Sequence, residues 1–253
     1  MPSLESLTIF VWAWIGLAVV TFVALFFVRA PYGRHTRAGW GPQIPARVGW
    51  IVMEMPSLAL MLTLFITGDR QSDPAAWIFL VMWEIHYVHR TLIYPFRARM
   101  DGKRMPASVA LMAVVFNSVN GGINGLFLFH LAPAYGLDWL MTPFFIGGVS
   151  IFVIGMGMNL HADTCLIRLR GDGTGGYKIP HGGAYRWVSC PNYLGEILEW
   201  IGFAVATWSL TGAAFAVWTI ANLFPRARDH HRWYQERFPD YPVERKALIP
   251  RLF

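Results

Sequence analysis

The sequence predicts an all-α integral membrane protein with seven transmembrane helices, its N-terminus outside and its C-terminus in the cytosol. Three observations lead there. Hydrophobic residues make up 55% of the chain and charged residues only 14%, where a soluble domain carries about a quarter. The charges are segregated, leaving uncharged windows of about 20 residues, the length that crosses a hydrocarbon core. The basic residues also alternate between loops. The loops after the first, third and fifth spans hold four Lys/Arg each and the tail from Arg226 holds seven, while the opposite set holds Arg70 alone. That is the asymmetry of the positive-inside rule, so the net charge of +6 reports topology rather than affinity for nucleic acid.

The spans follow in order as 6–28, 48–68, 75–96, 105–130, 139–166, 187–208 and 213–233, in a single membrane domain over 1–253. The first is free of charge, and at a rise of about 1.5 Å per residue it is long enough to cross. The second is interrupted only by Glu54, and the third starts at Pro74 and carries four ionisable groups. Met105–Leu137 has no Asp, Glu, Lys or Arg and supplies the fourth, with the fifth beginning near Trp139. From Trp187 to Pro225 only Glu196 and Glu199 are charged. As one helix that run would measure about two hydrocarbon thicknesses, so it folds back, at Ser209–Gly212. The N-terminus lacks the basic region of a cleaved signal peptide. Cys165 and Cys190 have neither metal nor disulfide-framework spacing.

A polar stretch, Asn159–Trp200, interrupts this apolar chain around a cytosolic loop at 167–191. Asn159 and Asp163 stand four apart, as do Asn192 and Glu196, so each pair shares a helix face. Arg168, Arg170, Tyr177, Lys178 and Arg186 lie between the pairs. Amides, carboxylates, cations and rings together suit an anionic, hydroxyl-rich ligand such as a nucleotide. A membrane-surface loop whose basic residues merely follow topology fits the same composition.

Charges inside spans are costly and mark either pairing or function. Glu54 and Tyr87 come to similar depths on the second and third spans, and Tyr87, Arg90 and Tyr94 share one face. With Asp163, Glu196, His230, His231 and Tyr234 they converge on the cytosolic half, which describes one pocket open to the cytosol rather than a channel. A phenol beside a carboxyl group can polarise a carbonyl; a Glu54–Arg90 pair that only sets helix register is the competing reading. Trp200 either lines an apolar substrate slot or simply packs. Gly171, Gly173 and Gly176 spell GxGxxG but follow a membrane helix rather than a strand, so no dinucleotide fold is implied. The eight histidines show no clustered box, and no metal site is expected.

The motifs YGRHT (Tyr32–Thr36), EMPS (Glu54–Ser57), HYVHRTLIYP (His86–Pro95), MGMNLHAD (Met156–Asp163), the run Tyr177–Leu210, HHRWY (His230–Tyr234) and DYPVERKALIP (Asp240–Pro250) occur in this order. In them the chain resembles the steroid 5α-reductase family, also called 3-oxo-5α-steroid 4-dehydrogenases. The resemblance implies a seven-helix oxidoreductase that uses NADPH to reduce the 4,5 double bond of 3-oxo-Δ4-steroids. It assigns Glu54 and Tyr87 to the C3 carbonyl, with hydride delivered to C5 from the α face and a proton taken at C4. It assigns Asn159, Asp163, Arg170, Tyr177, Asn192, Glu196, His230 and Tyr234 to NADPH, with Arg90, Tyr94, Tyr32 and Arg226 as further cofactor or pocket contacts. Trp200 falls at a steroid-packing position. Met53 and Lys178 depart from the family pattern, which has Gln and Arg there.

The expected partners are a steroid or steroid-like lipid and the bilayer, with no nucleic acid and no obligate protein partner. The expected location is multi-pass in a bacterial inner membrane or the endoplasmic reticulum. A related reductase of polyprenols or enoyl thioesters is the nearest alternative. A membrane methyltransferase using S-adenosylmethionine is a further one, though it gives Glu54 and Tyr87 no task.

Overall fold

The computed structural model describes residues 2–28, 39–169 and 177–253, and helix predominates among them. Seven helices of 15 residues or longer occur among these residues. They are α1 Leu4–Ala24, α2 Ala46–Thr67, α3 Pro74–Val88, α4 Ala107–Leu126, α5 Pro143–Leu169, α6 Pro191–Thr207 and α7 Leu210–Arg237. Four of them (α1, α2, α4 with its extension to Leu131, and α5) are long and apolar enough to cross a membrane. Their outward faces expose Ile9, Val52, Leu111 and Val153, as a lipid-facing surface requires. The helices α3 and α6 are shorter, at 15 and 17 residues, and α7 runs on into the charged segment after Pro225.

Local chemistry sets the ends of these helices. Asp73 caps α3 by accepting from the Ala75 amide at 3.0 Å, and Pro74 occupies the first turn, where its missing N–H costs nothing. The chain breaks between α6 and α7 at Trp208, which is left-handed with φ 45°; Ser209 Oγ then accepts from Gly212 N at 3.0 Å and starts α7. Past Val88, α3 widens into a π turn over His89–Ile93 and ends in the short helix Tyr94–Arg97. The cause is Pro95. Tyr94 N bonds to His89 O, and Pro95 has no N–H for Arg90 O, so the indole of Trp50 donates there instead at 2.9 Å.

Two segments differ from the sequence expectation. The loops before α2 and α4 are not plain: β1 (Gln43–Pro45) pairs antiparallel with β2 (Arg104–Pro106), Ile44 opposite Met105. The segment at Trp139 belongs to a separate helical turn, Gly136–Trp139, and α5 begins only at Pro143. Tyr135 OH and Trp139 Nε1 donate to the carbonyls of Thr207 and Ala206, holding this turn against the end of α6.

The closest helix contact is α5 against α6. A Cβ at Gly195 would fall 2.5 Å from Asn159 N, and one at Gly155 would overlap the backbone of Glu199. Gly148 and Gly202, each seven residues away, repeat the contact. Small residues at such a crossing let two backbones touch, and here they bring Asn159 and Asp163 of α5 beside Asn192 and Glu196 of α6. An aromatic core of Phe79, Trp83, Phe129, Trp200, Phe203 and Phe215 fills the space between α3, α4, α6 and α7.

Candidate active site

Glu54 lies on α2, Tyr87 near the end of α3, and Asn117 midway along α4. Asn117 is buried and bridges the other two. Its Nδ2 donates to Met53 O at 2.6 Å and to Glu54 Oε2 at 3.3 Å. Its Oδ1 accepts from Ser57 Oγ at 3.1 Å and from Tyr87 OH at 3.5 Å. Tyr87 is 3% exposed, with its ring stacked on Trp83 at 5.2 Å and tilted against Trp200 at 5.9 Å. A carboxyl, an amide and a phenol thus meet, the phenol packed among aromatic rings.

A second cluster lies where α5 ends and α6 begins. Asn159 Nδ2 donates to Asn192 O at 2.9 Å and to Glu196 Oε2 at 3.5 Å, and Asn192 Nδ2 donates to Asp163 Oδ1 at 3.2 Å. The two i, i+4 pairs therefore interlock. Asp163 Oδ2 also faces Arg90 Nη1 at 3.7 Å. The Arg90 guanidinium lies over Trp50 and Tyr94, at 4.8 and 5.0 Å, and interacts electrostatically with Glu54 and Glu196 as well as Asp163. It lies between the two clusters, with its ion pair to Asp163.

The remaining expected residues gather along α7. The His230 ring lies 5.5 Å from that of Tyr193, and Tyr177 meets Trp233 edge-on at 4.8 Å. Tyr234 is buried and stacks on Tyr241 at 5.3 Å. Arg226 Nη2 donates to Asn222 Oδ1 at 3.3 Å within α7. The C-terminal segment braces this region: Ser189 Oγ bonds both His231 Nδ1 and Tyr241 OH at 2.6 Å, and Lys246 N donates to Trp187 O. Burial pushes the Tyr241 phenol above its ordinary range, so it serves there as a neutral group. Trp200 sits at the centre of the aromatic core, 4.1 Å from Phe215 and 4.7 Å from His86. Tyr32 and Arg170, the YGRHT motif and the glycines Gly171, Gly173 and Gly176 lie outside the described residues.

The sequence reading passed over Asn117 and gave no role to Ser57, His86 and Glu199, although it named these three as motif members or charges. A signal existed. Asn117, Asn120 and Asn124 follow i, i+3, i+7 spacing in a span without Asp, Glu, Lys or Arg, and three amides on one face of such a helix need a reason.

A bundle apolar enough to cross a membrane, gathering carboxylates, amides and phenols from five helices, has the build of a membrane-embedded enzyme. Sequence comparison gives its family. The profile described as 3-oxo-5-alpha-steroid 4-dehydrogenase matches residues 103–253. Steroid 5-alpha-reductase DET2 of Gossypium hirsutum is 44% identical over 241 residues, covering 94% of this chain and 93% of its own length. The 3-oxo-5-alpha-steroid 4-dehydrogenase 1 of Bos taurus is likewise 44% identical, over 94% and 93%. That of Homo sapiens is 44% identical over 88% of this chain and 86% of its own. The chain belongs to the 3-oxo-5-alpha-steroid 4-dehydrogenase family, the steroid 5-alpha-reductases, which are oxidoreductases of steroid metabolism.

Proposed function

We propose that this protein reduces the 4,5 double bond of a 3-oxo-Δ4-steroid to the 5α product with NADPH. One observation carries the reading: Glu54 and Tyr87, from different helices, reach the same buried amide. A phenol and a carboxyl group held together beside aromatic rings suit a ketone oxygen that gains charge during reaction. Tyr87 donates its hydrogen bond to the C3 oxygen, and Glu54, as a protonated carboxyl group, donates a second one from the other side. As the enone takes on enolate character this hydrogen bond strengthens, so the pair binds the transition state more tightly than the substrate. Trp83 and Trp200 pack against the Tyr87 ring and make its surroundings apolar.

The donor set beside this site fits a nicotinamide dinucleotide. Asn159 and Asn192 offer amides, Asp163 and Glu196 offer carboxylate acceptors for hydroxyl and carboxamide hydrogens, and Arg90 offers a cation. Tyr177, His230, Tyr234, Tyr94 and Arg226 complete the set, with Arg170 and Tyr32. When bound, NADPH supplies the hydride that C5 takes, and C4 takes a proton afterwards. The reading places the chain as one membrane domain of seven spans, its N-terminus outside and this pocket open to the cytosol. The alternation of basic residues supports that orientation.

The test is an enone panel. Detergent-purified protein should oxidise NADPH only when a Δ4-3-ketosteroid such as testosterone or progesterone is present, and NADH should serve poorly. Absence of any steroid-dependent oxidation would overturn the reading.

A further inference from the structure

We infer that Asn117 is a positioning residue for the reduction, an amide that decides which neighbour presents a hydrogen and which presents an acceptor. The inference rests on the roles proposed for Glu54 and Tyr87. A side-chain amide can be turned either way, but Met53 O can only accept, and its 2.6 Å contact fixes the nitrogen on that side. The second hydrogen of Nδ2 then faces Glu54 Oε2, and Oδ1 faces the hydroxyls of Ser57 and Tyr87. Both N–H groups and both lone pairs are engaged, so the amide has no freedom to turn.

The polarity of the site follows. Tyr87 must be the donor in its contact with Asn117, because the amide oxygen can only accept. At 3.5 Å this bond is at the long limit, so a ketone oxygen brought beside the phenol takes over the hydrogen at little cost. Glu54 receives a hydrogen from Asn117 and is held as an acceptor on that side. An amide does not titrate, so it separates the carboxyl from the phenol without exchanging protons with either. The backbone holds this arrangement in place. Gly121, one turn along α4, brings that helix so near α2 that an added Cβ would fall 3.2 Å from Ser57 Cα, and Trp83 Nε1 donates to Ser57 O at 3.1 Å.

Two variants test this. Asn117→Ala should lower kcat at least tenfold while leaving the NADPH dissociation constant within twofold, a split that a merely structural role would not produce. Asn117→Asp keeps the volume and the acceptor and puts a carboxyl group beside Glu54. The titratable groups touching it are Glu54 and Tyr87, with Arg90, His86 and Glu196 around Glu54. Two carboxyl groups at that distance share one proton, so the activity of this variant should fall as pH rises across a range where the parent is constant. Tyr87→Phe is run alongside. If Tyr87→Phe is inactive while Asn117→Ala keeps the parent kcat, the inference on Asn117 is wrong and the proposed function stands. If Tyr87→Phe turns over normally, the role proposed for Tyr87 fails and the inference on Asn117 fails with it, while the reaction itself stands. Should Asn117→Ala not fold, an Asn117→Asp variant with the parent's kcat and pH profile overturns the inference alone.

Discussion

His86 Nδ1 lies 2.8 Å from Glu199 Oε1, joining α3 to α6 beside Trp200, with both side chains buried. The second carboxylate oxygen of Glu199 is buried without a hydrogen-bond partner among the described residues. Such a pair adds little net stability over apolar residues of like volume, yet losing one partner leaves an uncompensated polar group in the core. Glu199→Ala should therefore destabilise by about 3–5 kcal/mol. The double change His86→Leu with Glu199→Met should recover most of that loss. Thermal unfolding in detergent checks both, and an unchanged melting temperature in Glu199→Ala would count against the tie.

Tyr87 is the group proposed to meet the developing charge on the ketone oxygen. Tyr87→Phe keeps the ring against Trp83 and removes only the hydroxyl. Loss of one such donor lowers kcat by about 100- to 1000-fold. Binding of NADPH, followed by quenching of tryptophan fluorescence, should survive. Normal turnover would remove Tyr87 from the mechanism.

Asp163 joins Asn192 to Arg90, and its role should appear in cofactor affinity rather than in chemistry. Asp163→Ala should weaken NADPH binding about 10- to 100-fold, the worth of a charge-assisted hydrogen bond. The rate at saturating cofactor should fall less. An unaltered dissociation constant would refute the assignment.

The contact between α5 and α6 gives a paired prediction within one helix. Gly155→Ala puts a methyl group into the backbone of Glu199, whereas a methyl group at Gly157 would meet nothing within 4 Å. The first change should cost about 1–3 kcal/mol or prevent assembly. The second should be neutral or stabilise by about 0.5–1 kcal/mol, since alanine favours helix. Detergent melting curves of the two proteins, side by side, make the comparison. Equal stabilities would show that the helices do not touch there.

Parts of this site were legible in the sequence. The i, i+4 spacing of Asn159 with Asp163 and of Asn192 with Glu196 gave four residues that do interlock, because helical periodicity is a local rule. Glu54 and Tyr87 stood out because ionisable groups are rare inside apolar runs. Asn117 did not, since an uncharged amide leaves no mark in a charge count. The π turn at His89–Ile93 was hidden for another reason: Pro95 signals a break, but only the Trp50 indole shows where the freed carbonyl goes.

What the chain determines alone is the helical, membrane-suited character of its apolar runs and the family to which it belongs. Both follow from composition and order along the chain, which no folding step can alter. Which side chains share a hydrogen bond was decided by the tertiary structure. Glu54 and Asn117 are joined because glycines let backbones approach and a carbonyl turns an amide one way, and such contacts between residues far apart in sequence have no local signature.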